Sequence, residues 1–231
     1  MKGPTGLDPY IDMTLYLLKT YKNLLYGIWK ISGLKRAPVT IFGGSRLPAE
    51  NIYMKKASEL AQKLASHNIP VLTGGGPGIM EAANCGAYGV KSCFVTTIGI
   101  GVEGLDEGKP VKCQREVIVM NSFPVRKWLL TRYSIGYAVF PGGFGTLDEL
   151  TELLTLIQTK MRIRSPIVLI GVEYWAPFME WIHKSALANN LILEKEAELF
   201  SLTDDVEEAL KILLPPAKSG GPDESPQKSP L

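Results

Sequence analysis

The period of the apolar positions changes along the chain, and each change marks an element. Ile11, Leu15, Leu18, Tyr21, Leu25, Ile28 and Trp29 recur at steps of three and four, which predicts one amphipathic helix over Ile11–Ile31. Its apolar stripe needs a cover, the chain's own domain or a partner subunit, the alternative being a membrane surface with Lys19, Lys22 and Lys30 on the wet side. Lys19, Lys22, Asn23 and Lys30 interrupt this stretch, whereas a bilayer-spanning helix takes ~20 largely uncharged residues. From Pro38 the pattern shortens. Pro38–Gly43 (PVTIFG) is a brief apolar run closed by glycine, the signature of a buried strand, and Glu50–His67 carries Ala57, Leu60, Ala61 and Leu64 at helical spacing. Ile69–Thr73 is the next strand and runs into Gly74–Gly78 (GGGPG), after which a helix spans Ile79–Tyr88. Strands are expected at Ser92–Thr97 and Val117–Met120, a helix at Phe123–Tyr133, and a strand at Tyr137–Phe140. Pro141–Gly145 (PGGFG) then opens a helix over Thr146–Lys160. Strand Ile167–Ile170, helix Tyr174–Leu187 and a last helix over Asp204–Leu213, capped by Thr203 or Asp204, complete the series.

Apolar strands alternating with helices predict an α/β fold with a parallel β-sheet covered by helices on both faces. The pattern divides into an N-terminal helix and linker over residues 1–36, one α/β domain over 37–214, and a tail over 215–231. That tail is rich in Pro, Gly, Ser and Lys, so a disordered segment is expected.

Composition narrows the function classes. Of the 231 residues, 45% are apolar and 21% charged, with a net charge of +2. No strong field selects nucleic acid or an anionic membrane, so neither partner is expected. Three cysteines without a CxxC, and two histidines far apart, argue against a disulfide framework and against a metal site. No basic-then-apolar leader opens the chain, which predicts a cytoplasmic protein.

Two glycine clusters at strand-to-helix turns carry the chemistry. Neither is a standard fingerprint: Gly104–Lys109 is one residue short of GxxxxGK(S/T), no GxGxxG follows a strand, and Gly43–Leu47 breaks GxSxG at its last position. Glycine nevertheless lets a ligand approach the backbone, and a helix start offers unpaired N–H groups and a positive dipole end. Two such loops at the carboxyl edge of one parallel sheet point to a phosphate-bearing ligand, with the Thr146 hydroxyl beside the amides. Asp148 and Glu149 lie in the first turn after the second loop, and Glu81 in the first turn after the other. Acids there can simply complement the helix dipole. Arg126, Lys127 and Arg132 precede the second loop and are either compensating cations or a solvated helix face. Trp181–Lys184 places His183 beside Lys184, as in pyridoxal-phosphate decarboxylases, but lacks their serine two residues before the histidine; a solvated surface is the better reading.

Pro141–Glu149 (PGGFGTLDE) matches the PGGxGTxxE signature of the LOG-type proteins, the cytokinin-activating phosphoribohydrolases often labelled lysine decarboxylases. Arg126-Lys127 resembles that family's RK pair, fifteen residues before Pro141. Gly74–Gly86 resembles its GGGxxGxM segment, Ile41–Arg46 its opening strand and turn, and Pro166–Gly171 with Tyr174-Trp175 its closing strand and helix. The likeness covers roughly residues 38–213. It implies a Rossmann-like single domain, a homodimer, and hydrolysis of the N-glycosidic bond of AMP or a modified AMP to free base and ribose 5-phosphate. Arg126 and Glu149 fall on the catalytic positions. Gly142, Gly143, Gly145 and Thr146 fall on the phosphate-binding positions, with Gly43, Ser45, Gly75, Gly76, Glu81 and Lys127 as further substrate contacts. No cofactor and no metal is implied. The segment Gly99–Lys112 lacks a close counterpart and is expected to shape the base pocket. Replacing Arg126 or Glu149 is expected to stop the reaction without unfolding the protein. The main competing reading is a non-catalytic carrier of a nucleotide or of molybdenum cofactor on the same fold, and a third is a nucleotide-sensing interaction protein that docks through its N-terminal helix and tail.

Overall fold

A computed structural model of the chain describes residues 9–90, 97–105, 113 and 115–214. The elements, in chain order, are α1 (Pro9–Ser32), β1 (Val39–Phe42), α2 (Ile52–Ser66), β2 (Val71–Thr73), α3 (Ile79–Tyr88), β3 (Thr97–Val102), β4 (Glu116–Met120), α4 (Phe123–Arg132), β5 (Gly136–Val139), α5 (Phe144–Gln158), β6 (Ile167–Ile170), α6 (Val172–Trp181), α7 (Glu194–Ala197), β7 (Ser201–Thr203) and α8 (Val206–Leu213). The strands form one seven-stranded sheet in the order β4-β3-β2-β1-β5-β6-β7. Every pairing is parallel. This is a Rossmann-like sheet in a single domain.

The strands read as unbroken apolar runs because both faces are covered, and successive residues go to opposite cores. Val39, Val71, Ala138 and Val168 join the cluster under α2, α3 and α8, with Leu60, Leu64, Ile79 and Leu210. Phe42, Leu72, Val139 and Leu169 join the other cluster, with Leu129, Leu150, Leu153 and Trp175 of α4, α5 and α6. α2 and α3 pack closely at Gly86, where an added Cβ would lie 2.0 Å from the Ser58 carbonyl oxygen.

β1 lies between β2 and β5, and the winding of the chain reverses there: β1 to β4 run one way across the sheet and β5 to β7 the other. Such a switch point leaves a crevice beyond the carboxyl ends of the two adjoining strands. Gly43 follows β1 and Pro141 follows β5, so both open onto that crevice.

Several boundaries differ from expectation. The strand expected at Ser92–Thr97 lies outside the described residues except for Thr97, where β3 begins; Gly99–Val102, the start of the segment expected to shape the base pocket, belongs to this strand. β7 and α7, of three and four residues, were not expected, being too short to show a period. The last helix is capped by Asp205, whose carboxylate accepts from the Glu207 amide at 2.8 Å. Asp204 instead accepts from the Val172 amide at 3.2 Å and pairs with Lys56 at 2.8 Å, tying the start of α6 to α2. α6 loosens into a π-type turn at Ile182–Leu187. His183 is exposed, and Lys184 pairs with Glu180 at 2.7 Å. Cys85 of α3 forms a disulfide with Cys113, a link across 28 residues that spacing did not announce because it depends on α3 meeting the connection before β4. The expected tail over 215–231 lies outside the described residues.

α1 reaches β4 and α4 through a narrow face. Gly27 and Ile31 are buried, and a Cβ at Gly27 would meet the Leu129 side chain at 2.6 Å. The opposite face leaves Ile11, Leu18, Tyr21, Leu25 and Trp29 exposed. No described helix is long and apolar enough to cross a membrane.

Candidate active site

Three loops meet at the switch point and hold one another by backbone contacts. The Gly44 amide donates to the Pro141 carbonyl at 2.9 Å, and the Ile79 amide to the Gly44 carbonyl at 3.0 Å. Gly78, at a φ of +70°, lies so close to Gly44 that an added Cβ would sit 2.3 Å from its carbonyl oxygen. A Cβ at Gly142 would likewise lie 2.1 Å from Thr146 Oγ1. The next loop is fixed by Thr73, whose hydroxyl accepts from the Gly75 amide at 3.1 Å and from Asn84 at 2.9 Å. α5 begins with Gly143 as its N-cap and no capping side chain. Gly143, Phe144 and Gly145 line the cleft, so the first amides of α5, which have no acceptor inside the helix, are open to an anion. Tyr174 donates its hydroxyl to the Gly142 carbonyl and braces this turn from α6.

The cleft between these loops has a volume of about 900 Å³. Its floor holds a buried ion pair. Arg126, from α4, donates Nε to the Ile100 carbonyl at 2.7 Å, one Nη to Gly74 at 3.3 Å, and the other to Glu149 Oε1 at 3.4 Å. A Cβ at Gly74 would lie 2.1 Å from the guanidinium and displace it from this position. Glu149 lies in the second turn of α5 and not in the first as expected, because the helix begins at Phe144 and not at Thr146, and it is 8% exposed. Burial raises its pKa to about 7, against the opposing pull of Arg126; Asp148 and Glu152 add to the rise. A single contact of 3.4 Å is looser than the paired hydrogen bonds of a bidentate arginine–carboxylate. The carboxyl can therefore change protonation near neutral pH, as a group that handles a proton or a developing positive charge must.

The residues singled out in the sequence fall into two sets. Gly43, Ser45, Gly75, Gly76, Gly142, Gly143, Gly145 and Thr146 line the cleft together with Arg126 and Glu149. Lys127 and Glu81 do not. Lys127 lies outside the cleft, mostly buried between α4 and α5, where it pairs with Asp148 at 2.8 Å and Glu152 at 2.9 Å. Burial lowers its pKa, but the two carboxylates outweigh this and the net shift is upward. Neighbours in sequence on a helix face different directions, so Arg126 inside and Lys127 outside follow from helical geometry. Glu81 stands in the first turn of α3, beside the cleft-lining Met80.

Arg46, Asn51, Tyr53 and Phe123 line the cleft without having been singled out as site residues in the sequence, whereas Val102 and Leu105, which also line it, lie in the segment Gly99–Lys112 expected to shape the base pocket. Asn51 had a local signal, since it caps α2 by accepting from the Tyr53 amide at 2.9 Å. The others come from separate parts of the chain, Tyr53 from the first turn of α2, Val102 from the end of β3, Phe123 from the start of α4 and Arg46 and Leu105 from loops, and the sheet order brings them together. Among the described residues no group of three or more His, Cys, Asp or Glu side chains could hold a metal ion.

Residues 80–213 match the model of a family described as "Possible lysine decarboxylase". A "Probable cytokinin riboside 5′-monophosphate phosphoribohydrolase" of Oryza sativa subsp. japonica is 29% identical over 154 residues, which cover 64% of this chain and 60% of that protein's length. A cytokinin riboside 5′-monophosphate phosphoribohydrolase of Arabidopsis thaliana is 25% identical over 181 residues, 76% of each chain. Among solved structures, the molybdenum cofactor binding protein of the phototrophic bacterium Rippkaea orientalis superposes with a TM-score of 0.56 at 22% identity, covering 77% of this chain and 95% of that one. The last likeness is one of fold.

Proposed function

The chain belongs to the LOG-type family, whose model carries the description "Possible lysine decarboxylase", and on that premise we propose that it hydrolyses the N-glycosidic bond of a nucleoside 5′-monophosphate. The substrate class is AMP or an AMP modified on its base, of the cytokinin kind, and the products are free base and ribose 5-phosphate. One observation carries the reading: a buried Arg126–Glu149 pair stands in the same cleft as the uncapped start of α5. The 5′-phosphate lies against the amides of Gly143–Gly145 and the Thr146 hydroxyl, which places the ribose over Glu149. As the bond from C1′ to the base nitrogen breaks, positive charge grows on the sugar and the electron pair leaves with the base. The Glu149 carboxylate stabilises that cation and takes a proton from the water that attacks C1′. Arg126 holds this carboxylate in place and favours the negative charge passing to the base.

The name of the family model points instead to an amino-acid decarboxylase, whose pyridoxal phosphate is carried as a lysine imine. No described residue lining the cleft is a lysine, and Lys127 is held by Asp148 and Glu152. The described residues of the cleft do not fit that group.

Purified protein should release adenine and ribose 5-phosphate from AMP. It should do so with a kcat/KM at least ~10²-fold above that for adenosine, because phosphate binding far from the reacting bond is used to position it. Equal kcat/KM for the two substrates sinks the phosphate site. Tight nucleotide binding without any base release favours the carrier reading.

The active protein is a homodimer. The exposed apolar stripe of α1 supports this, since a contiguous face of Ile11, Leu18, Tyr21, Leu25 and Trp29 is unusual on a monomer. Light scattering should give twice 25.3 kDa; a mass of one chain across micromolar concentrations contradicts it.

A further inference from the structure

We propose that Arg46 is the side chain that clamps the phosphate of the ligand, closing over the start of α5 from the β1–α2 loop. The inference rests on the reading of the cleft as a nucleotide site and assigns a role there to a residue outside the signature motif. Of the described residues that line the cleft, Arg46 and Arg126 are the cationic ones and Glu149 is the acidic one. Arg126 is committed. Its donors go to Ile100, Gly74 and Glu149, and it is 9% exposed, so it is anchored in the floor and its charge is set against Glu149. A phosphate monoester near neutral pH carries between one and two negative charges. The amides of a helix start supply only about half a positive charge. With Arg126 set against Glu149, the cleft needs a further cation to take such a ligand.

Arg46 fits that need. It is exposed, and it takes no hydrogen-bond, ion-pair or ring partner among the described residues. Its backbone is fixed although its side chain is not. Gly44, two residues earlier, is bonded to Pro141 at 2.9 Å and accepts from Ile79 at 3.0 Å. The same glycine packs against Gly142, the residue next to the α5 N-cap. The long arginine side chain therefore starts beside the phosphate loop, on a rigid base, with its planar fork unoccupied. Arginine is suited to gripping a phosphate through two parallel hydrogen bonds.

The test is calorimetric binding of ribose 5-phosphate to the full-length protein and to Arg46→Ala and Arg46→Lys, beside base release from AMP and adenosine. Losing a charge-assisted contact should weaken ribose 5-phosphate binding roughly 10–100-fold in Arg46→Ala. Arg46→Lys should recover part of the loss, since it keeps the charge without the fork. The ratio of kcat/KM for AMP over adenosine should fall by the same factor, through KM. An Arg46→Ala protein that binds ribose 5-phosphate as tightly as the parent overturns the proposal, and so does a parent protein that does not bind it. Weakened binding in Arg46→Ala together with no base release from any nucleotide upholds the clamp and overturns the hydrolase reading instead.

Discussion

Glu149→Gln should slow base release from AMP by ~10²-fold or more while the protein stays folded, the lower range for loss of a positioned acid–base group. Glutamine keeps the length and the hydrogen-bonding reach but not the charge. A glutamate that merely complements the helix dipole would cost ~0.3–1 kcal/mol of stability and little activity. The buried environment makes a second, opposite signature. The pKa of Glu149 in the folded protein is about 7, above the 4.5 of an unperturbed carboxyl. The folded state therefore holds this proton more tightly than the unfolded chain. Its contribution to stability falls as pH rises from about 4.5 to about 7 and is constant beyond. Removing the charge removes that loss. At pH 8 the variant should resist urea at least as well as the parent, and the difference should shrink toward pH 5. In the parent, kcat/KM should rise with pH through an apparent pKa near 7, as the carboxylate form appears. A folded Glu149→Gln protein with near-parental turnover ends the assigned mechanism. A variant much less stable than the parent at pH 8 shows instead that the charge is structural.

Arg126→Ala should abolish activity and also destabilise the protein by about 3 kcal/mol or more, the cost of breaking a buried pair from one side. This qualifies, for Arg126, the expectation that replacing it stops the reaction without unfolding the protein. The guanidinium satisfies the carbonyls of Ile100 and Gly74 as well as Glu149, so truncation strands two acceptors and one desolvated carboxyl. Without the opposing charge, the pKa of Glu149 should move further above about 7, and the acid limb of any residual activity should move with it. Arg126→Lys restores charge but cannot reach three acceptors in different directions, so its stability should lie between the two. Urea unfolding with a pH–rate profile of all three proteins checks this. An alanine variant as stable as the parent, with an unshifted profile, contradicts it.

The sequence determined the alternation of strands and helices, the parallel sheet and the two glycine turns, because each is a local pattern. Apolar period, a glycine after a strand and the start of a helix act over a few residues, and the chain writes them out in order. It also contained PGGFGTLDE and the RK pair, from which the family could be recognised. What it could not determine depended on strand order. Only the placement of β1 between β2 and β5 brings Arg126, the carbonyls of Ile100 and Gly74, and Glu149 to one point. As charges in a pattern Arg126 and Lys127 were alike; the packing of α4 on α5 put one in the floor of the cleft and set the other, away from it, against Asp148 and Glu152. The same holds for the raised pKa of Glu149. A carboxyl in the second turn of a helix is ordinary until the neighbouring layers remove its water, and desolvation is a property of all the atoms around a group at once. Arg46 and the disulfide between Cys85 and Cys113 belong with these, since a partner, or the lack of one, is decided by what the fold brings near.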